Sequence, residues 1–516
     1  MNNQDRKLLE ACIYGGQELN NSGITCDYPL DSTIINELNN LKGEIPDTAD
    51  DYEIFNHRER IDALWSKLLE KSIKCLRYYD KREPFKDSSG NKTPKAYGLE
   101  ELKQYYAQYS GFENVLYGSS RYYRDHVIHV FRTWMSGVEL LTQNANNNLE
   151  FFNIHEKNIE ITLEPAEKIS IWTIIALTHD LGYPLQKARD IISITQKMIA
   201  TFITNPDVSV DFSFHGVQNY MNDFIVRLMS SKMVERTNNN GGEETDRKYV
   251  ARLQPKYYFK FQKSLERNDH GILSTLIIYK LLTYFLESDY SINEDYTFGE
   301  EDCRQFYIRR EILRAIASHT CNDVYQLYMG SFSFLLRVCD DTQEWGRKYL
   351  SELYVKSQQK YEYGEIDLVF KDNKQNECKI NESIEIAEKE KETIAQLFIR
   401  FYNQAIEYVT IFRDGQDTGI RDFSFSRDMK ICCGKIEFKI ILEIKQNDAS
   451  KLKVEVKYTT KADANKELGK DFFDKNHIPY ESFQYKDVDG KEVAENRPSS
   501  WRAGEFTMPL TEKIKK

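Results

Sequence analysis

Six of the nine histidines in this 516-residue chain, His126, His129, His179, His215, His270 and His319, fall in its middle. His179 is followed by Asp180, directly after the apolar run Ile171-Trp172-Thr173-Ile174-Ile175-Ala176-Leu177-Thr178. Desolvating an imidazole beside a carboxylate is costly unless something compensates, and a divalent cation does so by taking both groups as ligands. Alone, such a pair reads more readily as a hydrogen-bonded core histidine next to a helix terminator. It is not alone. His126 and His129 stand three residues apart in an apolar stretch, Asp269-His270 opens another, His319 closes a third, and Asp340-Asp341 interrupt a fourth. One buried metal centre that gathers these groups explains every interruption.

The elements that must position them are helices. Apolar residues recur at helical spacing over 124–141, 169–181, 271–286, 303–318 and 332–350, lengths that strands seldom reach. His126 and His129 then share one face of the first of these helices.

In that order, His126, then His179-Asp180, then Asp340, the chain resembles the HD superfamily of metal-dependent phosphohydrolases over about residues 116–350. Members that hold two metals add two histidines before the last aspartate, and His270 and His319 occupy those places. The resemblance implies a helical bundle with His126, His179, Asp180, His270, His319 and Asp340 as ligands, and with Asp180 bridging two ions. His126 is preferred to His129 as first ligand because His-x-x-x-Val matches the family pattern; His129 then faces substrate or orients a ligand. Asp340 is preferred to Asp341 because the small Cys339 precedes it. The string Gly182-Tyr183-Pro184 is an accidental match to the HD-GYP cyclic-dinucleotide phosphodiesterases, which carry that triplet far downstream, near a His-His pair absent here. Tyr183 also stands where many members carry Lys.

Such a site lowers the pKa of a water for attack on phosphorus and offsets phosphoryl charge. Mixed His and carboxylate ligation suits Mn, Fe, Co, Ni or Zn better than Mg, with one or two ions per chain. Asp180, His129 and His215 are the candidate catalytic groups; in the superfamily's deoxynucleotide triphosphohydrolases an extra histidine after the His-Asp pair protonates the leaving group, a role the resemblance offers to His215, whose residue context reads more readily as a packed histidine. Arg121, Arg124, Lys187 and Arg337 are the candidate phosphate contacts, with Arg347 also close to the last aspartate. The segment 191–268, with Tyr257-Tyr258-Phe259-Lys260-Phe261, reads either as a lid that stacks on a base or as core.

Length predicts roughly two to four domains: an N-terminal helical extension over 1–115, the HD domain over 116–355, and a C-terminal α+β accessory domain over 356–516. The fold class is mainly α. In the C-terminal part, alternation at 365–370, 430–444 and 451–459 predicts an antiparallel sheet, 383–410 a long helix, and the charged tail from Asn465 an irregular wrap. With 70 Lys+Arg against 81 Asp+Glu the net charge is −11, which excludes an extended nucleic-acid surface. The nine cysteines form no CxxC pair and no run of about 18 apolar residues occurs. Reduced thiols, a cytoplasmic location, no membrane contact and a homo-oligomer are expected. The leading expectation is hydrolysis of deoxynucleoside triphosphates through an activated water. A two-metal phosphodiesterase of cyclic or oligomeric nucleotides and a non-catalytic nucleotide sensor are the alternatives, and the metal count discriminates the first two. Nucleotide-depleting members of the superfamily also serve in antiviral defence.

Overall fold

A computed structural model describes residues 4–47, 53–81, 98–119, 124–143, 149, 152–156, 159–201, 217–236, 247–287, 290–293, 295–321, 324, 330–347, 361–372, 376–387, 397, 400, 404, 423–434, 436–445, 451–458, 482–486, 492–496 and 501–502. The protein is mainly helical, with a C-terminal α+β part. Among the described residues the helices are α1 (Gln4–Asn21), α2 (Ser32–Glu44), α3 (Arg58–Tyr79), α4 (Leu99–Ser119), α5 (Val127–Thr142), α6 (Pro165–Thr178), α7 (Tyr183–Ala200), α8 (Val217–Met229), α9 (Pro255–Arg267), α10 (His270–Leu281), α11 (Thr283–Leu286), α12 (Glu300–Ser318) and α13 (Phe332–Thr342).

The centre is α6, buried on every side, as its unbroken apolar sequence demands. Pro165 at its first turn and a capping box between Glu164 and Glu167 fix where it starts. α3, α5, α12 and α13 surround it. The N-terminal helices share this core: Trp65 of α3 donates its indole N–H to the Leu177 carbonyl (2.9 Å), two residues before His179. On the other side Asp5 of α1 accepts from Arg132 Nε (2.7 Å) and Nη2 (2.6 Å) of α5 and from Trp345 Nε1 (3.1 Å), all buried.

The expected helix over 271–286 is two, broken at the extended Leu282. Segment 191–268 holds α8, α9 and an antiparallel hairpin, β3 (Ser231–Arg236) with β4 (Lys248–Leu253); a second small hairpin joins β1 (Ile154–Glu156) to β2 (Ile159–Ile161). In α9 Phe261 is buried and Phe259 is exposed, so the aromatic cluster is divided between core and surface.

The C-terminal sheet differs from expectation in three ways. It is mixed: β5 (Tyr361–Asp372), β6 (Asn376–Ile386), β7 (Phe423–Cys433), β8 (Ile436–Lys445), β9 (Lys451–Tyr458), β10 (Ser482–Lys486) and β11 (Glu492–Asn496) lie in chain order, with β6–β7 and β9–β10 parallel and the other pairs of this row antiparallel. β12 (Trp501–Arg502) pairs with β9. Residues 383–386, expected to begin a helix, end β6, because their backbone is paired on both sides, with β5 and with β7. The tail contributes β10 to β12 where an irregular wrap was expected. The run 430–444 is a hairpin turning at Gly434, whose φ of +59° favours glycine. Within the sheet Arg427 and Glu382 form a buried bidentate pair.

All nine cysteines are free thiols. Among the described residues no helix is long and apolar enough to cross a membrane.

The Asp5–Arg132 pair makes a testable prediction. Asp5→Ala strands a buried guanidinium and should cost about 3–5 kcal/mol in urea unfolding; a loss under about 1 kcal/mol would show that the pair does not join α1 to the core.

Candidate metal centre

The proposed ligands sit at the ends and edges of buried helices. His179 is the C-cap of α6 and Asp180 follows in a tight turn into α7, where Tyr183 N donates to the Asp180 carbonyl (2.9 Å). Ser274 of α10 steadies this corner, its Oγ donating to the His179 carbonyl (2.6 Å) and accepting from Gly182 N–H (2.7 Å). Only glycine fits at 182, since a Cβ would stand 2.3 Å from the His270 carbonyl oxygen. This close approach brings His270, the first residue of α10, to Asp180. His319 is the C-cap of α12, His129 lies in the first turn of α5, and Asp340 lies near the end of α13.

Asp180 faces two sets of imidazoles. Its Oδ2 lies 3.4 Å from His179 Nε2 and 3.7 Å from His129 Nε2, while its Oδ1 lies 3.2 Å from His270 Nε2 and 3.6 Å from His319 Nε2. Asp340 Oδ1 is 2.9 Å from His129 Nε2 and 3.8 Å from His179 Nε2. Two sets of atoms are close enough to grip an ion: His129, His179 and Asp340, and His179, Asp180 and His319.

Each ring presents Nε2 inward because its Nδ1 has an oxygen acceptor behind it. His179 Nδ1 meets the Ala176 carbonyl (2.8 Å), His319 Nδ1 the Ile316 carbonyl (2.5 Å), His270 Nδ1 the Gln186 Oε1 (2.7 Å), and His129 Nδ1 the Gln343 Oε1. The Gln343 amide is itself oriented, since its Nε2 donates to the Trp345 carbonyl (3.0 Å). A proton held at Nδ1 leaves the Nε2 lone pair for a cation. His179 Nε2 and His319 Nε2 are buried without a hydrogen-bond partner, an arrangement that costs stability unless an ion sits there. The buried His and Asp groups can hold a metal ion.

The charges agree. Burial works against ionising Asp180, yet His179, His270 and His319 hold its carboxyl well below the usual range. Burial disfavours charge on His179 too, but Asp180 and Asp340 raise it to about 9. Burial pushes His129 and His319 below the ordinary imidazole value. The carboxylates thus draw positive charge onto His179, while burial keeps His129 and His319 toward the neutral form that can ligate.

The structure exchanges two expected roles. His129 lies among the ligands, whereas His126 stands aside, because α5 begins at Val127 and leaves His126 as its N-cap. The His126 ring stacks on Tyr183 (3.9 Å between centroids), and its Nδ1 lies 3.8 Å from Oε1 of the buried Glu113. Asp340 faces the histidines, while Asp341 pairs with Arg337 (2.9 Å). Arg337 also donates to the His319 carbonyl (2.7 Å), which turns it toward supporting that ligand rather than toward an open phosphate. Lys187 lies over the Tyr183 ring (5.5 Å) and Arg124 pairs with Glu344. His215 and Arg121 lie outside the described residues. Gln186, Gln343 and Glu113 escaped sequence reasoning; the available signal was a glutamine three residues past Asp340 in an apolar setting. Comparison with known protein families, curated proteins and solved structures finds no match to this chain.

Metal analysis of the purified chain should find up to two divalent ions. Asp180→Asn should lose both and His270→Ala one, while Gln343→Leu should weaken binding about 10–100-fold. Occupancy should fall as pH drops, because protonated imidazoles cannot ligate, and His179, which despite burial is held at about 9 by Asp180 and Asp340, is the first ring for which a proton competes with the ion. Undiminished metal in Asp180→Asn would contradict this geometry.

Proposed function

We propose that this protein is a two-metal nucleotide phosphohydrolase. The observation that carries the reading is Asp180, whose two carboxylate oxygens each face a separate pair of imidazoles. A carboxylate so placed would serve as a ligand to divalent ions on either side of it, together with the surrounding histidines. When bound, such ions polarise a phosphoryl group and make a water a competent nucleophile at neutral pH.

The chain's own groups supply the rest. His129, His179 and Asp340 would hold one ion, and His179, Asp180 and His319 a second, with His270 beside them on Oδ1 of Asp180. His126 is the nearby histidine left over from ligation. With Glu113 behind Nδ1 and Tyr183 against its face, it is oriented to move a proton at Nε2. Glu113 in turn accepts the His126 backbone N–H (2.6 Å) and pairs with Arg58, so the carboxylate is anchored. Arg124, Lys187 and Arg347 offer positive charge around the centre, on a chain that is acidic as a whole.

Two ions favour cleavage of a phosphodiester in a cyclic or oligomeric nucleotide over single-metal hydrolysis of a deoxynucleoside triphosphate. A nucleotide panel in Mn tests this. Release of a nucleoside monophosphate from a cyclic or linear dinucleotide is expected, and release of triphosphate from deoxynucleotides alone would reverse the preference. Turnover of nothing by metal-loaded protein would leave a sensor. His126→Ala should keep its metal and lose about 10²–10⁴-fold in kcat, the usual share of a general acid or base. Loss of metal from that variant would make His126 a ligand instead.

A further inference from the structure

A second concentration of charge lies beside the metal centre and is not used by ligation. Arg124, just before α5, and Arg400, from the C-terminal part of the chain, both pair with Glu344, which follows α13. Three residues further on, Arg347 has its Nε buried without a hydrogen-bond partner, and it lies within electrostatic reach of Arg124, Asp180 and Asp340. Arg400 lies within reach of Arg124, Arg427 and Asp341.

The acids nearby have their own partners. Asp341 holds Arg337, Glu382 holds Arg427, and Asp125 and Glu113 hold Arg58. Two guanidiniums, those of Arg124 and Arg400, therefore meet on the Glu344 carboxylate, with Arg347 within reach of Arg124. Burial first, and then the neighbouring Arg124, depresses Arg347 to about 10 and Arg400 to about 9, so each is a cation held out of water beside another cation, even with Asp180 and Asp340 within reach of Arg347 and Asp341 within reach of Arg400. A multivalent anion would relieve that crowding, and the planar guanidinium fork matches phosphate oxygens.

We propose that Arg124, Arg347 and Arg400 form one anion site, shared between the helical bundle and the C-terminal part, that holds a second phosphate of the substrate while Glu344 occupies it in the substrate's absence. The inference deepens the phosphohydrolase reading and rests on it for the position of the first phosphate. It makes the C-terminal part a component of the substrate site. The second phosphate can belong to a run of linked phosphates or to a dinucleotide, so both are probed.

The test is calorimetric binding of inorganic tripolyphosphate and of a linear diadenylate to the full chain, with metal content measured in parallel. Arg400→Gln and Arg347→Gln should each weaken at least one probe about tenfold, the loss of a charge-assisted hydrogen bond. Arg400→Lys should recover part of that loss. Glu344→Gln should tighten binding, a gain that a merely structural residue would not produce, and it keeps the test valid if Arg400→Gln unfolds. Metal content should not change. Dependence on Arg400 with tripolyphosphate identifies linked phosphates, and dependence with diadenylate alone identifies phosphates bridged by nucleosides. Wild-type affinity for both probes in the arginine variants, or weaker binding by Glu344→Gln, overturns the inference. A chain that takes up no metal yet binds tripolyphosphate through Arg400 keeps the anion site and removes the phosphohydrolase reading; a metal-loaded, hydrolysing enzyme indifferent to Arg400→Gln does the reverse.

Discussion

The structure depends on one buried carboxylate. Asp180 lies at the end of an entirely buried helix with four imidazoles around its two oxygens. A carboxylate in such a place is tolerable only with positive charge on both sides. Protons on the histidines supply part of it, and divalent ions would supply it more completely because they need no proton at Nε2. The helices converge where they do so that this balance can be struck. Gly182 lets α10 approach closely enough for His270, and the core around Trp65 and Trp172 fixes the height at which α6 ends.

The outer layer of polar contacts matters as much as the ligands. Ala176, Ile316, Gln186 and Gln343 each place an oxygen behind a ring and so decide which nitrogen faces inward. The chain after α13 extends this support. Trp345 accepts from Gln343 through its carbonyl and donates its indole N–H to Asp5, which ties a ligand-orienting amide to the first helix of the protein. Glu344 and Arg347, its close neighbours, point the same short segment toward the arginines of the anion site.

Much of this was legible in the sequence because buried polar groups stand out against apolar helices. His179, Asp180, His270, His319 and Asp340 each interrupt an apolar run, and each reaches the centre. The choice between His126 and His129 was not legible, since a spacing of three puts both on one face and only the start of α5 at Val127 separates cap from ligand. The C-terminal part was read less well for a different reason. Residues 383–386 alternate Ser-Ile-Glu-Ile ahead of a charged stretch with high helix propensity, and long-range pairing with β5 and β7 overrides that local preference. β10 pairs in parallel with β9, a contact that no short pattern announces.

The most direct test of the account is anomalous X-ray scattering from crystals of the protein grown with Mn. Two peaks roughly 3.5 to 4 Å apart, one on each side of the Asp180 carboxylate, are the predicted result. A single peak that leaves His270 and His319 unligated, or no peak near Asp180 at all, would contradict it.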